Sequence, residues 1–162
     1  MKRSIALLLL LAALLALTAG CGGKVSYRED LSAEKLAGIM DKHLSASQMA
    51  VMTSGYLSGA MKMDPTLFSD YVVKVTAYGT KIDEYGVFRV PSADRAEAAK
   101  DAVESYLQLR KDNWMEEYLP EEKPKLTNAA VKCCGLYVLY VIVSDEVRQP
   151  MLDGFENALK QS

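Results

Sequence analysis

The chain has 162 residues, of which 50% are hydrophobic and 25% charged, with 19 basic and 21 acidic side chains. Nucleic-acid-binding proteins usually have an excess of basic residues, whereas this chain is mildly acidic, so we expect no nucleic-acid partner. The length is sufficient for one domain with its own hydrophobic core.

Residues 1–20 have the pattern of a bacterial lipoprotein signal peptide. Two basic residues precede an apolar run over residues 5–17, which is shorter than the roughly 20 residues that a membrane-spanning helix needs. Small residues then lead directly to Cys21, as in a lipobox. The pattern predicts cleavage before Cys21 and attachment of acyl chains such as palmitate to its sulfur. The alternatives are an ordinary secretory signal with a free Cys21 thiol, or an uncleaved helical anchor.

Lipidation at Cys21 would place the protein on the outer face of the bacterial cytoplasmic membrane. Residues 21–29 would then be the lipidated cysteine and a flexible tether, followed by a single domain at 30–162. Loss of the signal removes two of the 19 basic residues and leaves 21 acidic ones, a net charge of about −4. Because the chain has no polybasic patch, we expect the lipid to supply the membrane attachment.

The first half of the domain is predicted to contain one helix and two strands. Ser32 is a good helix N-cap, and Asp64 before Pro65 indicates a second helical start. β-Branched and aromatic residues then indicate strands. The predicted elements are a helix at 33–45, an irregular methionine-rich segment at 46–63, a single turn at 65–69, and strands at 71–78 and 84–90.

The second half is predicted to contain the longest helix, two further strands and a final helix. The long helix starts at the Asp94 cap and ends before Pro120, about 25 residues or roughly 37 Å at 1.5 Å per residue. Residues 123–125 are expected to be a linker. Strands are predicted at 126–133 and 136–143, with a tight turn at Cys134-Gly135. Ser144 is expected to cap the last helix, with Pro150 in its first turn.

The second of these late strands shows little alternation between apolar and polar residues, which indicates a central strand buried on both faces. The predicted order is α-β-β-α-β-β-α. Strand pairs separated by a helix favour an α+β fold, with an antiparallel sheet of about four strands packed by the long central helix and the terminal helices.

The sequence offers little catalytic chemistry, and we expect a non-enzymatic protein without a cofactor. His43 is the only histidine, so a triad or zinc site lacks partners. The acidic pairs at 83–84, 116–117 and 121–122 are best explained as solvated charge, apart from an ion pair between Glu84 and Arg110. Soft ligands for copper, or groups for a thiol carrier, are the alternative chemistry; the candidates are Met61, Met63, Cys133 and Cys134.

A binding or interaction module is the function that the sequence favours, with an enzyme lacking a recognisable motif as a further alternative. Its partner would be an envelope protein or polymer, or a small apolar molecule. Aromatic and arginine side chains are frequent anchors at binding surfaces, and the candidates are Tyr85, Arg89, Trp114, Tyr118 and Tyr137.

Three stretches resemble a family of small bacterial lipoproteins known as domain of unknown function 4358. They are the acidic-then-aliphatic strand at 83–89, the helix exit with Arg110, Trp114 and residues 118–121, and the glycine turn and tyrosine strand at 135–138. The resemblance covers roughly residues 31–159 and implies a compact, surface-exposed α+β domain. It implies no catalytic residue.

Overall fold

The computed structural model describes residues 25–44 and 48–161. The predicted signal peptide and the lipidation site at Cys21 lie outside the described residues. Within these ranges there are five α-helices: α1 Ala33–Met40, α2 Ser54–Gly59, α3 Ala96–Asp112, α4 Lys123–Thr127 and α5 Asp145–Leu159. Five strands accompany them: β1 Met49–Val51, β2 Asp70–Thr76, β3 Glu84–Arg89, β4 Ala130–Cys134 and β5 Tyr137–Ile142.

The strands form one antiparallel sheet in the order β1-β2-β3-β5-β4. The α+β class and the antiparallel sheet are therefore confirmed, but the sheet has five strands rather than about four. The predicted order of helices and strands is wrong as well, since the described residues follow the order α-β-α-β-β-α-α-β-β-α. The additional strand, β1, lies in the segment that was expected to be irregular. It has only three residues, and it forms because the edge of β2 offers backbone partners to it.

Helices cover both faces of the sheet, so the domain has three layers. Side chains alternate along a strand, and β3 shows both sides. Glu84 faces α3, where the Tyr106 hydroxyl donates to it. Tyr85 faces α1, where its hydroxyl lies 3.2 Å from the Ala37 carbonyl oxygen. Helix α5 packs beside α1 on that second face.

The centre of the sheet is the most apolar part of the fold. All six residues of β5 are buried, which confirms the prediction of a central strand covered on both faces. Its hairpin partner β4 is joined through Gly135-Leu136, one residue later than the predicted turn, because Cys134 pairs with Tyr137. Gly135 has a φ of +57°, the left-handed conformation that favours glycine in such turns.

Helix ends differ most from the predictions. Ser32 caps α1 by accepting from the Lys35 amide, and Asp64 accepts from the Thr66 amide, as expected. Helix α1 nevertheless passes into a 3₁₀ turn after Met40. Helix α3 ends at Asp112, eight residues before Pro120, because the Asn113 side-chain amide donates to the Leu109 carbonyl oxygen at the helix end.

Two further boundaries are corrected. The predicted linker at 123–125 is the start of α4, and Leu126 lies in that helix rather than in a strand. Pro150 is the sixth residue of α5, not part of its first turn. The helix continues through it because Glu146, whose carbonyl loses an amide partner, lies on the exposed side.

The two ends of the described chain are joined beside the β4–β5 hairpin. The Arg28 amide donates to the Leu159 carbonyl oxygen at 2.8 Å, and the Gln161 amide donates to the Ser26 carbonyl oxygen at 3.0 Å. Tyr27 rests on the turn at Gly135. Among the residues described, no helix is long and apolar enough to cross a bilayer.

Candidate functional site

Two clusters of charged side chains lie near the end of the sheet where β3 begins. The first, which we term the buried carboxylate cluster, consists of Glu84, Tyr106, Tyr140, Arg110 and Tyr56. The hydroxyls of Tyr106 and Tyr140 both donate to Glu84 Oε1 at 2.6 Å. Arg110 donates to the other carboxylate oxygen, which confirms the expected ion pair. Tyr56 adds a hydroxyl contact with Tyr106 at 3.3 Å.

A glycine in β3 makes this arrangement sterically feasible. The ring of Tyr140 lies across Gly86, and a Cβ on Gly86 would overlap Tyr140 Cε1 and lie 2.9 Å from Phe88 Cε2. Because the strand carries no side chain there, the Tyr140 hydroxyl can reach Glu84 from the neighbouring strand. Gly86 is therefore required by space rather than by backbone conformation.

The buried carboxylate cluster is closed to ligands. Glu84 is fully buried, and burial together with the Glu84 charge raises the pKa values of Tyr106 and Tyr140, so both remain neutral hydrogen-bond donors. For Arg110, burial opposes the charge, but the Glu84 carboxylate outweighs it and raises the pKa. Every oxygen of Glu84 has a partner, which indicates a structural role.

The second cluster lines a cavity of about 380 Å³ that is open to solvent. We term this cavity the end pocket. Its walls come from the chain after α1, the β2–β3 loop, the turn before α4 and the start of α5. Polar and charged side chains predominate in its lining, among them His43, Gln48, Lys81, Asp83, Glu122 and Lys125.

Opposite charges meet in the end pocket. Lys125 Nζ donates to Glu122 Oε2 at 2.7 Å and to Asp83 at 3.0 Å. Glu122 also accepts from the Ile82 amide at 3.0 Å and lies 3.5 Å from Lys81 Nζ. Burial raises the pKa of Glu122, but the hydrogen bonds from Lys125 and Ile82 outweigh it, so the net pKa lies below the ordinary value.

A strained residue positions Glu122. Leu119 has a φ of +49°, a left-handed conformation that is uncommon outside glycine. It immediately precedes the 3₁₀ turn Pro120–Glu122, which brings the Glu122 carboxylate onto the Ile82 amide. Strain of this kind typically stores about 1–3 kcal/mol and is often found at ligand sites.

Exposed apolar side chains lie on the loops beside the end pocket. Tyr78 is 53% exposed, Tyr118 is 52% exposed and Met115 is 65% exposed. The Tyr118 hydroxyl donates to the Gly79 carbonyl oxygen at 2.8 Å, so the two tyrosine loops are in contact. We term the side chains of Tyr78 and Tyr118 the tyrosine rim. The β2–β3 loop carries both Tyr78 of the rim and Lys81 of the pocket.

The residues predicted to anchor a ligand are dispersed. Tyr85 and Tyr137 are fully buried, and their hydroxyls donate to Asp41 and to the Leu31 carbonyl oxygen. Arg89 donates to the Glu29 carbonyl oxygen at the opposite end of β3. Trp114 is half-buried after α3 and lines a separate cavity with Lys111 and Glu116. Of the five, Tyr118 alone is exposed, at 52%.

The soft-ligand candidates are placed in different surroundings. Met61 and Met63 belong to the hydrophobic core, with exposures of 2% and 3%. Cys133 and Cys134 are free thiols in β4, one exposed and one buried. Because neighbouring strand residues point to opposite faces, these two sulfurs do not share a site. The described residues contain no group of three or more His, Cys, Asp or Glu side chains that could hold a metal ion.

Sequence reasoning missed the charged lining of the end pocket. The sequence predicts a linker at Lys125 and solvated charge at 121–122. The second prediction is wrong for Glu122, which is 4% exposed, whereas Glu84, for which an ion pair with Arg110 is expected, is fully buried. Leu119-Pro120 is a turn signal, but nothing in the local sequence distinguishes Glu122 from the neighbouring Glu121.

The fold and the site define a small α+β domain with an antiparallel sheet, a closed polar network and an open charged pocket at the same end. The family model described as a domain of unknown function (DUF4358) matches residues 42–143, and the chain belongs to this family. The matched range includes both clusters apart from Ser144 and Val147 at the pocket wall. Comparisons with curated proteins and with solved structures give no significant match.

Proposed function

We propose that the protein is a binding module, lipid-anchored through Cys21 to the outer face of the bacterial cytoplasmic membrane. Its ligand is a small zwitterion, such as an amino acid or a short peptide released from the cell envelope, held in the end pocket. The lipobox ending at Cys21 supports the anchor, and the geometry of the end pocket supports the ligand class.

The observation that carries this proposal is the pairing of opposite charges around an open cavity. A volume of about 380 Å³ falls within the roughly 300–1,000 Å³ typical of small-molecule sites. The Lys81 side chain is 55% exposed, so its ammonium can turn to a ligand carboxylate. Asp83 is more exposed than Glu122 and can accept from a ligand ammonium. Hydrogen bonds in which the donor or the acceptor is charged are stronger than those between neutral groups.

Calorimetry with the chain from Cys21 onward, carrying Cys21→Ser, tests the ligand class. We expect short zwitterionic peptides to bind and their N-acetylated, C-amidated counterparts not to bind. Lys81→Glu should weaken binding at least about tenfold, the equivalent of roughly 1.4 kcal/mol. Lys35→Glu makes the same charge change on exposed α1 and should leave affinity unchanged.

Equal binding of the blocked peptides, or equal weakening by both lysine variants, would contradict the proposed ligand class. The anchor has a separate test, in which the full chain is expressed in a bacterium that processes lipoproteins. Mass spectrometry should find a lipidated Cys21 at the N-terminus, and Cys21→Ser should release the protein from the membrane fraction. An intact leader would contradict the anchor.

A further inference from the structure

We infer that the protein stands on the membrane with its β4–β5 hairpin end down, so that the end pocket and the tyrosine rim open away from the bilayer. The surface that meets a partner therefore faces the extracytoplasmic space and takes a ligand from solution or from the cell wall rather than from lipid. The inference rests on lipid attachment at Cys21, which belongs to the proposed function.

The first step is that the start of the domain is fixed at the hairpin end. Backbone hydrogen bonds hold Ser26 and Arg28 against the last residues of the described chain, and Tyr27 bridges to Lys160. Tyr27 also rests on Gly135, its Cβ lying 3.1 Å from an ideal Cβ built on that glycine. The domain thus begins at the hairpin and not at the end pocket.

The second step is the length of the connection to the lipid. Four peptide links separate Cys21 from Val25, and at 3.3–3.6 Å per residue they reach at most roughly 14 Å. Since two acyl chains would hold Cys21 at the headgroups, the hairpin end stays within that distance of the membrane.

The third step is the distance from the hairpin to the end pocket. Helix α5 has 15 residues, about 22 Å at 1.5 Å per residue. Its first turn and the preceding Ser144 border the end pocket, whereas its last residue bonds to Arg28. The pocket therefore lies about 20 Å further from the anchor than the hairpin does.

The net charge of the domain does not favour an orientation in which its side lies against anionic lipid headgroups. The mature chain has 17 basic and 21 acidic residues after loss of Lys2 and Arg3. Attraction to anionic headgroups contributes roughly 1 kcal/mol for each nearby basic residue, but a net charge of −4 on the whole domain provides repulsion instead. The short tether and the acidic surface together favour the upright orientation.

Energy transfer from two protein positions to labelled lipid headgroups tests the orientation. Full-length lipidated protein is reconstituted in phosphatidylglycerol–phosphatidylcholine vesicles that carry an acceptor on their headgroups. The first donor is placed on native Cys133, an exposed thiol in β4 close to the hairpin turn. The other two cysteines do not compete for the label, because Cys134 is buried and Cys21 is acylated. The second donor is placed on Thr80→Cys in a Cys133→Ser background, on the exposed β2–β3 loop beside the pocket.

We expect transfer from Cys133 to exceed transfer from position 80 severalfold, because transfer falls steeply over 20 Å. Insertion of about 20 Gly and Ser residues after Gly23 adds a flexible reach of roughly 25 Å and should remove most of the difference. If Thr80→Cys fails to fold, Glu117→Cys in the same background gives a second exposed probe near the tyrosine rim.

Equal transfer from the two positions, or stronger transfer from position 80, overturns the orientation. Failure of the lipidated protein to associate with vesicles overturns the anchor and the orientation together. Neither result bears on the pocket chemistry, because peptide binding is measured on the lipid-free Cys21→Ser chain. The outcomes of the two experiments therefore separate the orientation from the ligand class.

Discussion

The buried carboxylate cluster and the end pocket contain the same kinds of groups in different surroundings. Each is built around a buried glutamate, Glu84 or Glu122, with a cation beside it. In the first cluster two neutral tyrosines and Arg110 fill the space around the carboxylate. In the second, Lys125 and Lys81 approach from a cavity that is open to water.

Under the proposed function, the same kind of ionic pair serves stability in the buried carboxylate cluster and recognition in the end pocket. A carboxylate that is fully enclosed has no capacity for a ligand, and its removal leaves a buried cation without a partner. A carboxylate at a cavity wall holds its lysine at the surface of the cavity, where solvent or a ligand can compete for it. Substitutions in the two clusters should therefore affect different measurements.

Glu84→Gln should have the largest effect, with a loss of about 3–5 kcal/mol in the free energy of unfolding, typical of breaking one side of a buried ion pair. Arg110 would lose its countercharge, and the amide nitrogen that replaces one carboxylate oxygen would face either Arg110 or the two tyrosines, all of which are donors. Urea denaturation measures the change. Glu117→Gln, on an exposed glutamate, is the control, and equal losses in the two variants would argue against the structural role.

Gly86→Ala should be the next most severe change, lowering the free energy of unfolding by about 1–3 kcal/mol through overpacking. The new methyl group would displace the Tyr140 ring from its place above β3 and weaken its bond to Glu84. Gly38→Ala is the matched control, since nothing lies within 4 Å of a Cβ there. In the middle of α1 it should stabilise the protein by about 0.5–1 kcal/mol. A Gly86→Ala protein as stable as wild type would refute the steric explanation.

Lys125→Met should lower the free energy of unfolding by about 1–2 kcal/mol, less than Glu84→Gln, because Glu122 keeps the Ile82 amide and Lys81 as partners. Thermal or urea unfolding gives the stability, and calorimetry gives peptide affinity. For Lys125→Met, we expect the loss in free energy of peptide binding to exceed the loss in free energy of unfolding. The Glu84→Gln protein, measured at a temperature where it is folded, should retain its affinity for peptide. A loss of stability with unchanged peptide binding would remove Lys125 from the site.

Acid titration should show the smallest effect, at the hairpin end of the molecule. Hydrogen bonds from Lys132 and Lys160 lower the pKa of Glu156 to about 2 from an ordinary value of 4.5. The folded state therefore gains stability from the ionised carboxylate above pH 4.5 and loses it as the pH falls toward 2. Wild type should lose more stability over this interval than Glu156→Gln does, as measured by urea denaturation. Parallel pH profiles of the two proteins would contradict the assignment.

Local sequence signals determined several features by themselves. The apolar run of β5 indicated a central strand because no alternation was present, and burial of all six residues agrees. Gly135 indicated a tight turn because it can adopt positive φ, and Ser32 and Asp64 indicated helix starts because their side chains can accept from backbone amides. Each of these signals depends on residues within a few positions of one another.

The tertiary structure alone decided the strand β1 and the burial of Glu84 and Glu122. An acidic residue beside another acidic residue has the same local pattern whether it is solvated or enclosed. Glu84 is enclosed because Tyr106 and Tyr140 come from positions 22 and 56 residues further along the chain. The end pocket likewise exists only where four separate segments meet, so its charges converge through packing and not through spacing in the sequence.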